Sequence, residues 1–169
     1  MELVEGIATI DDLETFLASL GEIGDEHGCT IQAFDARYVA GRRHLERALE
    51  LADRAIERDD AIADDRAVEV LCYAAGRRQI NRALAMGVDV GETPAVVLVD
   101  AEGERGNEDD EAGAAEAVRT LLEPADTLGE LDPDTVREFF EIGDAEVAAT
   151  DAGLEDLVIE RVALLTVEK

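Results

Sequence analysis

Two histidines, two cysteines and fifteen basic residues, set against 42 carboxylates, are the groups with which this chain could do chemistry. His27 and His44 have no HxxxH spacing and no cysteine beside them, so the ligand pattern of a zinc site is missing. Cys29 and Cys72 each sit among apolar neighbours without a second cysteine at metal or redox spacing, and they read as buried free thiols. The sequence holds neither a nucleophile elbow nor a phosphate-binding glycine loop. Against so dense an acidic background no pair of carboxylates stands apart as a general acid and base. These residues predict a protein that is not an enzyme and that needs no metal or cofactor.

The basic residues are unevenly placed. Ten of the fifteen lie between Arg37 and Arg82, against nine acidic residues in the same window, so this stretch is near neutral in a chain of formal net charge -27. At the helical period, Arg43, Arg47, Arg54 and Arg58 fall within an arc of roughly 60°, opposite Leu45, Leu49, Ala52 and Ile56. Two readings are open for this stripe. It is offered to an anionic partner, or it pairs at helical spacing with Glu46, Glu50, Asp53 and Glu57. Arg77 and Arg78 follow Gly76 and have fewer acids to pair with. Two cations at a helix start oppose its dipole, a local cost that points to an anionic ligand received there.

The counts also describe the solvent. Lys169 is the only lysine, and a net charge of -27 would strain a compact fold by self-repulsion in dilute buffer. In 1 M salt the Debye length falls to about 3 Å and that strain is screened. Carboxylates keep their hydration where water is scarce, and arginine brings planar hydrogen bonding in place of lysine's flexible apolar stem. The composition therefore predicts a halophilic protein from a cell that balances its surroundings with internal salt. An acidic decoy for a basic partner is the competing reading, but the acid is spread along the chain and not gathered in a tail. No run approaches the roughly 20 apolar residues of a membrane span. The start MELVEGIATIDD lacks the basic region of a signal peptide, so the expected location is the cytoplasm with no membrane contact.

With 47% hydrophobic residues, the 169-residue chain is expected to form a single mixed α/β domain, a small mixed sheet packed with several helices. Residues 2–10 alternate as a strand, and Asp11 opens a helix over Leu13 to Leu20. After the turn-rich GDEHG comes a second strand, TIQAF, and then the long amphipathic helix that carries the arginine stripe. A helix RAVEVLCYAA breaks at Gly76 and resumes as RRQINRALAMGV. AVVLVD is too apolar and too β-branched for an exposed strand and belongs centrally in the sheet. Residues 101–113 read as an acidic surface loop. Helices around AAEAVRTLL and TVREFFEI follow, the latter begun by Asp132 and Pro133, and a last helix is expected to run into a terminal strand, ALLTVEK.

At the arginine window the sequence becomes recognisable. EVLCYAAGRRQINRAL, with the earlier RRHLERAL, resembles the small accessory subunit of the KEOPS complex, the family that includes the human PRPK-binding protein. The shared signature is the helix-breaking glycine followed by R-Q-I and a helix, here Gly76, Arg78, Gln79 and Ile80. The resemblance implies a non-catalytic role in the complex that places threonylcarbamoyl on adenosine in the anticodon loop of tRNA. It implies a subunit that docks on and regulates the kinase/ATPase subunit and helps recruit tRNA by holding its single-stranded 3′ end. Candidate tRNA-binding residues are Arg42, Arg43, His44, Arg47, Arg77, Arg78 and Gln79. The candidate kinase contact is Leu84, Met86 and Val88, because an exposed methionine among aliphatics suits an adaptable interface, the alternative being that Leu84 and Met86 are core.

Counterion release weakens steeply with salt, so an RNA site working in brine must rest on short-range contacts. Unpaired bases would stack on arginine planes or on Tyr38 or Tyr73, with ribose hydroxyls read by Gln79 or Asn81. Outside the family, AVEVLCYAA followed by RRQINRAL could be the two helices of a helix-turn-helix DNA-binding regulator.

Overall fold

A computed structural model describes residues 1–102, 107–149, 151 and 153–168. In chain order the elements are β1 (Glu2–Ile10), α1 (Leu13–His27), β2 (Cys29–Asp35), α2 (Arg42–Glu57), α3 (Arg66–Ala75), α4 (Ile80–Ala83), β3 (Gly91–Ala101), α5 (Glu108–Arg119), β4 (Glu123–Pro124), α6 (Pro133–Phe139), α7 (Asp144–Ala149) and α8 (Leu154–Glu168). Short 3-10 turns occupy Ala36–Tyr38 and Leu84–Met86. The fold is mixed α/β. Two compact units divide it, Met1–Ala36 with Gly87–Leu128, and Arg37–Met86 with Gly129–Lys169.

The first unit is built on a sheet of order β2-β3-β1-β4. Every pairing among the described residues is antiparallel, so the sheet is not mixed in strand direction. β1 pairs with β3 from Glu2↔Val99 to Ile10↔Gly91, which places the AVVLVD run on an inner strand. Ala95, Val97 and Val99 join a core with Leu20, Ala114, Ala115 and Val118, supplied by α1 and α5. Val96 and Leu98, which alternate with them, are also fully buried. A strand buried on both faces has no use for polar alternation, and that explains its unbroken apolar sequence.

Asp12 caps α1 by accepting from the Glu14 amide at 3.1 Å. The helix runs past the expected Leu20 to His27, so GDEHG is its last turn and not a loop. Gly28, at φ 64°, ends it. Gly24 is required inside the helix because a Cβ there would stand 2.7 Å from the Cys29 carbonyl oxygen, which fixes how closely α1 can approach β2. The expected loop 101–113 is corrected in part. Asn107 caps α5 through a reciprocal capping box with Asp110, so residues 108–113 are helical. Within that turn Glu111 is buried and accepts from the Ala101 amide at 2.9 Å. The remaining loop positions 103–106 lie outside the described residues.

In the second unit α2 packs against α3 and α8. Leu45, Ala48, Leu51, Ala52 and Ala55 are its buried face, and the alanines let the neighbouring helices approach closely. That face is turned from the expected one, leaving Ile56 exposed. Asp65 caps α3, and Gly76, at φ 62°, ends it in a Schellman motif, with the Arg77 amide on Cys72 O at 3.0 Å and the Gly76 amide on Tyr73 O at 3.1 Å. Glu69 is fully buried and its carboxylate receives the Ile62 amide at 2.9 Å and the Ala63 amide at 3.0 Å, fixing the loop between α2 and α3.

Two expectations fail here for packing reasons. Residues 77–79 do not resume a helix; α4 spans four residues, and Ala83 and Met86 are the buried side chains of α4 and the 3-10 turn after it. A helix this short cannot serve as the recognition helix of a DNA-binding pair, which removes the basis of that rival. At the C-terminus ALLTVEK is not a strand but the end of α8 as far as Glu168. Val158, Val162 and Leu165 are buried at helical spacing, so tertiary packing overrides the β-branched composition.

Candidate functional site

The arginine stripe of α2 is largely consumed by neighbouring acids. Arg42 pairs with Glu46 at 2.9 Å, Arg47 with Glu50 at 3.0 Å and Arg54 with the same carboxylate at 2.7 Å. Arg43 reaches α8, where it meets Glu155 at 3.2 Å and Asp156 at 3.0 Å. Arg66 forms a two-point contact with Asp53 at 2.8 and 2.9 Å. Pairing at helical spacing therefore accounts for most of the pattern, and each such surface pair contributes only about 0.2–1 kcal/mol. Arg58 is exposed, with no partner among the described residues.

His44 is corrected as a contact residue, since its side chain is fully buried. Nδ1 accepts the Ala40 amide at 3.1 Å, so Nε2 carries the proton and donates to Ala74 O at 2.7 Å. Burial pushes its pKa down to about 4, and the imidazole is a neutral structural link between the entry to α2 and the end of α3.

A cleft of about 620 Å³ in the same unit is lined by Tyr38, Arg77, Asn81, Arg82, Ala85, Thr135, Glu138, Phe139 and Glu141. Its wall is an aromatic ladder. Tyr38 meets Phe139 edge to face at 5.3 Å between centroids, Phe139 meets Phe140 at 5.0 Å, and Phe140 meets His44 at 5.7 Å. Phe140 and His44 are buried, whereas Tyr38 and Phe139 are half-buried. The Arg77 guanidinium carbon stands 4.7 Å from the Phe139 ring centroid, and Nη2 donates to the Phe139 carbonyl. Arg161, from α8, donates to Phe140 O at 3.1 Å and Glu141 O at 3.2 Å. Two guanidiniums thus close the C-terminal end of α6, where unpaired carbonyls and the helix dipole favour positive charge. Arg161 also bonds Glu146 at 2.6 Å, a contact that holds that carboxyl below its ordinary range.

The cleft brings together Tyr38, Arg77 and Asn81, which the sequence had nominated, with Phe139, Thr135 and Glu138, which it had not. The missed signal was the adjacent pair Phe139 and Phe140, of which Phe140 is buried and Phe139 is left half-buried on the cleft wall. Arg78 and Gln79 are exposed beside the elbow, and Arg42, Arg43 and Arg47 stay on α2. Tyr73 is buried and offers no stacking plane. Of the candidate kinase contacts, Leu84 is 57% exposed, but Met86 and Val88 are buried, the first anchoring the 3-10 turn and the second in the β-sheet core. The exposed methionine expected there is not found.

Cys29 and Cys72 are free and buried as expected, and burial raises the Cys29 thiol to about 11, which makes it unreactive. Among the described residues no three His, Cys, Asp or Glu side chains could hold a metal ion together, and no helix is long and apolar enough to cross a membrane. The model of a family described as kinase binding protein CGI-121 matches residues 9–166. No curated protein matches the chain. With a family match across nearly all of its length, signature glycine included, this chain belongs to the CGI-121 kinase binding protein family.

Proposed function

We propose that this chain is the non-catalytic accessory subunit of a KEOPS complex in the salt-rich cytoplasm of a halophile. In this reading it binds and regulates the kinase/ATPase subunit and helps recruit tRNA through its 3′ end. The observation that carries the RNA half is the cleft beside the glycine elbow. Arg77 lies over Phe139, with Tyr38, Asn81 and Arg82 around them, in a chain where most other arginines are taken up by acids. Stacking and hydrogen bonds keep their strength in molar salt, whereas phosphate attraction does not. Arg78 and Gln79 form the exposed rim, and Arg43 is the α2 arginine with most surface still open, at 62% side-chain exposure.

The kinase contact is assigned to exposed aliphatic residues that follow the elbow, Ile80 and Leu84, one helical turn apart. Burial removes Met86 and Val88 from it.

In a filter-binding assay at molar potassium chloride, the protein should retain tRNA with an intact 3′ end and release trimmed tRNA and duplex DNA. Arg78→Ala combined with Arg82→Ala should weaken retention by roughly tenfold, from lost stacking and hydrogen bonding. Retention unchanged by the double substitution, or equal for intact and trimmed tRNA, refutes the RNA reading. Leu84→Glu should abolish co-elution with the kinase subunit in gel filtration, and an intact complex would refute that contact.

A further inference from the structure

We infer that the outer edge of β1, at residues 2–5, takes an additional strand: an extended segment of a partner protein that carries basic residues. The inference stands apart from the RNA reading and lies wholly within the first unit. In the sheet order β2-β3-β1-β4 the last strand covers this side, yet β4 pairs only with Gly6 and Ile7. The local chemistry shows why it stops. Pro124 has no amide to offer, and in the same register residues 127 and 128 would stand opposite Leu3 and Glu2. Their amides go instead to the Glu5 carboxylate at 2.9 and 2.6 Å, and the Thr127 hydroxyl donates to Ala95 O on β3 at 2.6 Å. The chain is thereby drawn off the edge, and these four residues of β1 have no strand on that side among the described residues.

The opening is a groove of about 490 Å³. Leu3, Leu122 and Pro124 give it apolar walls, and Glu5, Arg119 and Asp126 are its charged groups. In an antiparallel ladder alternate residues point both amide and carbonyl to the same side, so a strand laid along residues 2–5 gains up to about four main-chain hydrogen bonds. Charge selects the occupant. Glu5 is taken up by the two amides, and Arg119 pairs with Glu116 at 2.5 Å. The side chains of Asp126 and Glu123 are exposed, with no partner among the described residues, so the charge left over at the rim is negative. A second copy offering the same edge would set Glu2 against Glu5 at both ends of the pairing, which like charges disfavour. A strand of alternating aliphatic and basic residues meets both demands, with its aliphatic side chains against the apolar walls and its cations towards Asp126 and Glu123.

The test titrates a fluorescein-labelled heptapeptide of alternating arginine and valine against the full chain in molar potassium chloride, where attraction at a distance is screened beyond about 3 Å. Fluorescence anisotropy should show saturable binding. A twin with two adjacent central prolines loses one inward-facing donor whichever alternation it adopts, and should bind at least about tenfold more weakly. A twin with glutamate in place of arginine should be weaker in the same measure. Asp126→Arg, an exposed substitution that leaves the core untouched, should narrow the gap between the arginine and glutamate peptides to about threefold, Glu123 accounting for the rest. With the arginine peptide bound, hydrogen exchange should slow at one alternate pair of β1 amides, Glu2 with Val4 or Leu3 with Glu5. Absence of saturable binding, equal binding of the proline or glutamate twin, or unchanged exchange at residues 2–5 in the complex overturns the inference. The RNA reading is tested on other residues and stands or falls without it.

Discussion

Acid should unfold this protein through His44, and the size of the effect follows from how the side chain is held. The imidazole is fully buried, accepts the Ala40 amide and donates to Ala74 O, so a second proton would break the first bond and bury a charge. Its pKa is pushed down to about 4 from an ordinary 6.5, a gap worth roughly 3 kcal/mol at about 1.4 kcal/mol per pH unit. Above pH 6.5 the ring is neutral in both states and its contribution is complete. As pH falls from 6.5 towards 4 the unfolded chain takes up a proton that the fold refuses, and stability is lost throughout that window. The 42 carboxylates pull the other way, since protonating them relieves self-repulsion. Working in molar potassium chloride screens that background, and comparison with His44→Gln cancels what is left of it. Denaturant melts at several pH values should show the wild-type stability falling relative to the variant by about 1.4 kcal/mol per pH unit near pH 5.5. Parallel curves for the two proteins between pH 7 and 4.5 would refute the account of a neutral buried imidazole.

Three further outcomes follow from contacts elsewhere. Glu69→Ala strips the acceptor from the Ile62 and Ala63 amides and should cost about 2–4 kcal/mol in a denaturant melt, with faster hydrogen exchange at both amides. Gly6→Ala and Gly41→Ala should differ sharply in thermal midpoint. A Cβ on Gly6 meets the Glu123 carbonyl oxygen at 2.7 Å and would push β4 away from β1, whereas a Cβ on Gly41 meets only the movable tip of Glu155, on backbone that any residue adopts. The midpoint of the unaltered protein should climb steadily as potassium chloride is raised from millimolar to molar, and a flat profile would remove the self-repulsion argument.

Elements whose sequence and packing demand the same structure were readable in advance. β1 was legible because its alternation matches a sheet with one buried side, and AVVLVD because a strand buried on both faces has no polar positions. Asp132 and Pro133 begin α6 as their chemistry requires, and Gly76 adopts the left-handed conformation that its place after α3 calls for. Reading failed where packing outweighed local preference. Glycines in GDEHG suggest a turn, but Gly24 is there to let α1 touch β2. The β-branched tail suggests a strand, but Val158, Val162 and Leu165 form one helical face. The candidate site was half legible for the same reason. Arg77 and Asn81 lie beside the elbow in sequence, while Tyr38 comes from the turn after β2 and Phe139 and Glu138 from a helix more than fifty residues downstream, all brought to one cleft only by the fold.

In so acidic a chain, counting arginines is a poor guide to function, because each one has several carboxylates within reach and most settle into pairs. What carries information is the arginine that lines a cleft and still remains out of an ion pair, unlike Arg58, which stands exposed on the surface. By this criterion the α2 stripe, impressive as a pattern, is mostly a solvated face held by its own acids, and attention moves to Arg77 and Arg82 at the cleft. Arg77 is committed to Phe139 and the end of α6, which holds the aromatic wall in place; Arg82 is left with an open guanidinium above it. Arg82 and Glu138 line one cleft and neither has an ion-pair partner among the described residues, which is the strongest physical argument for the proposed ligand site.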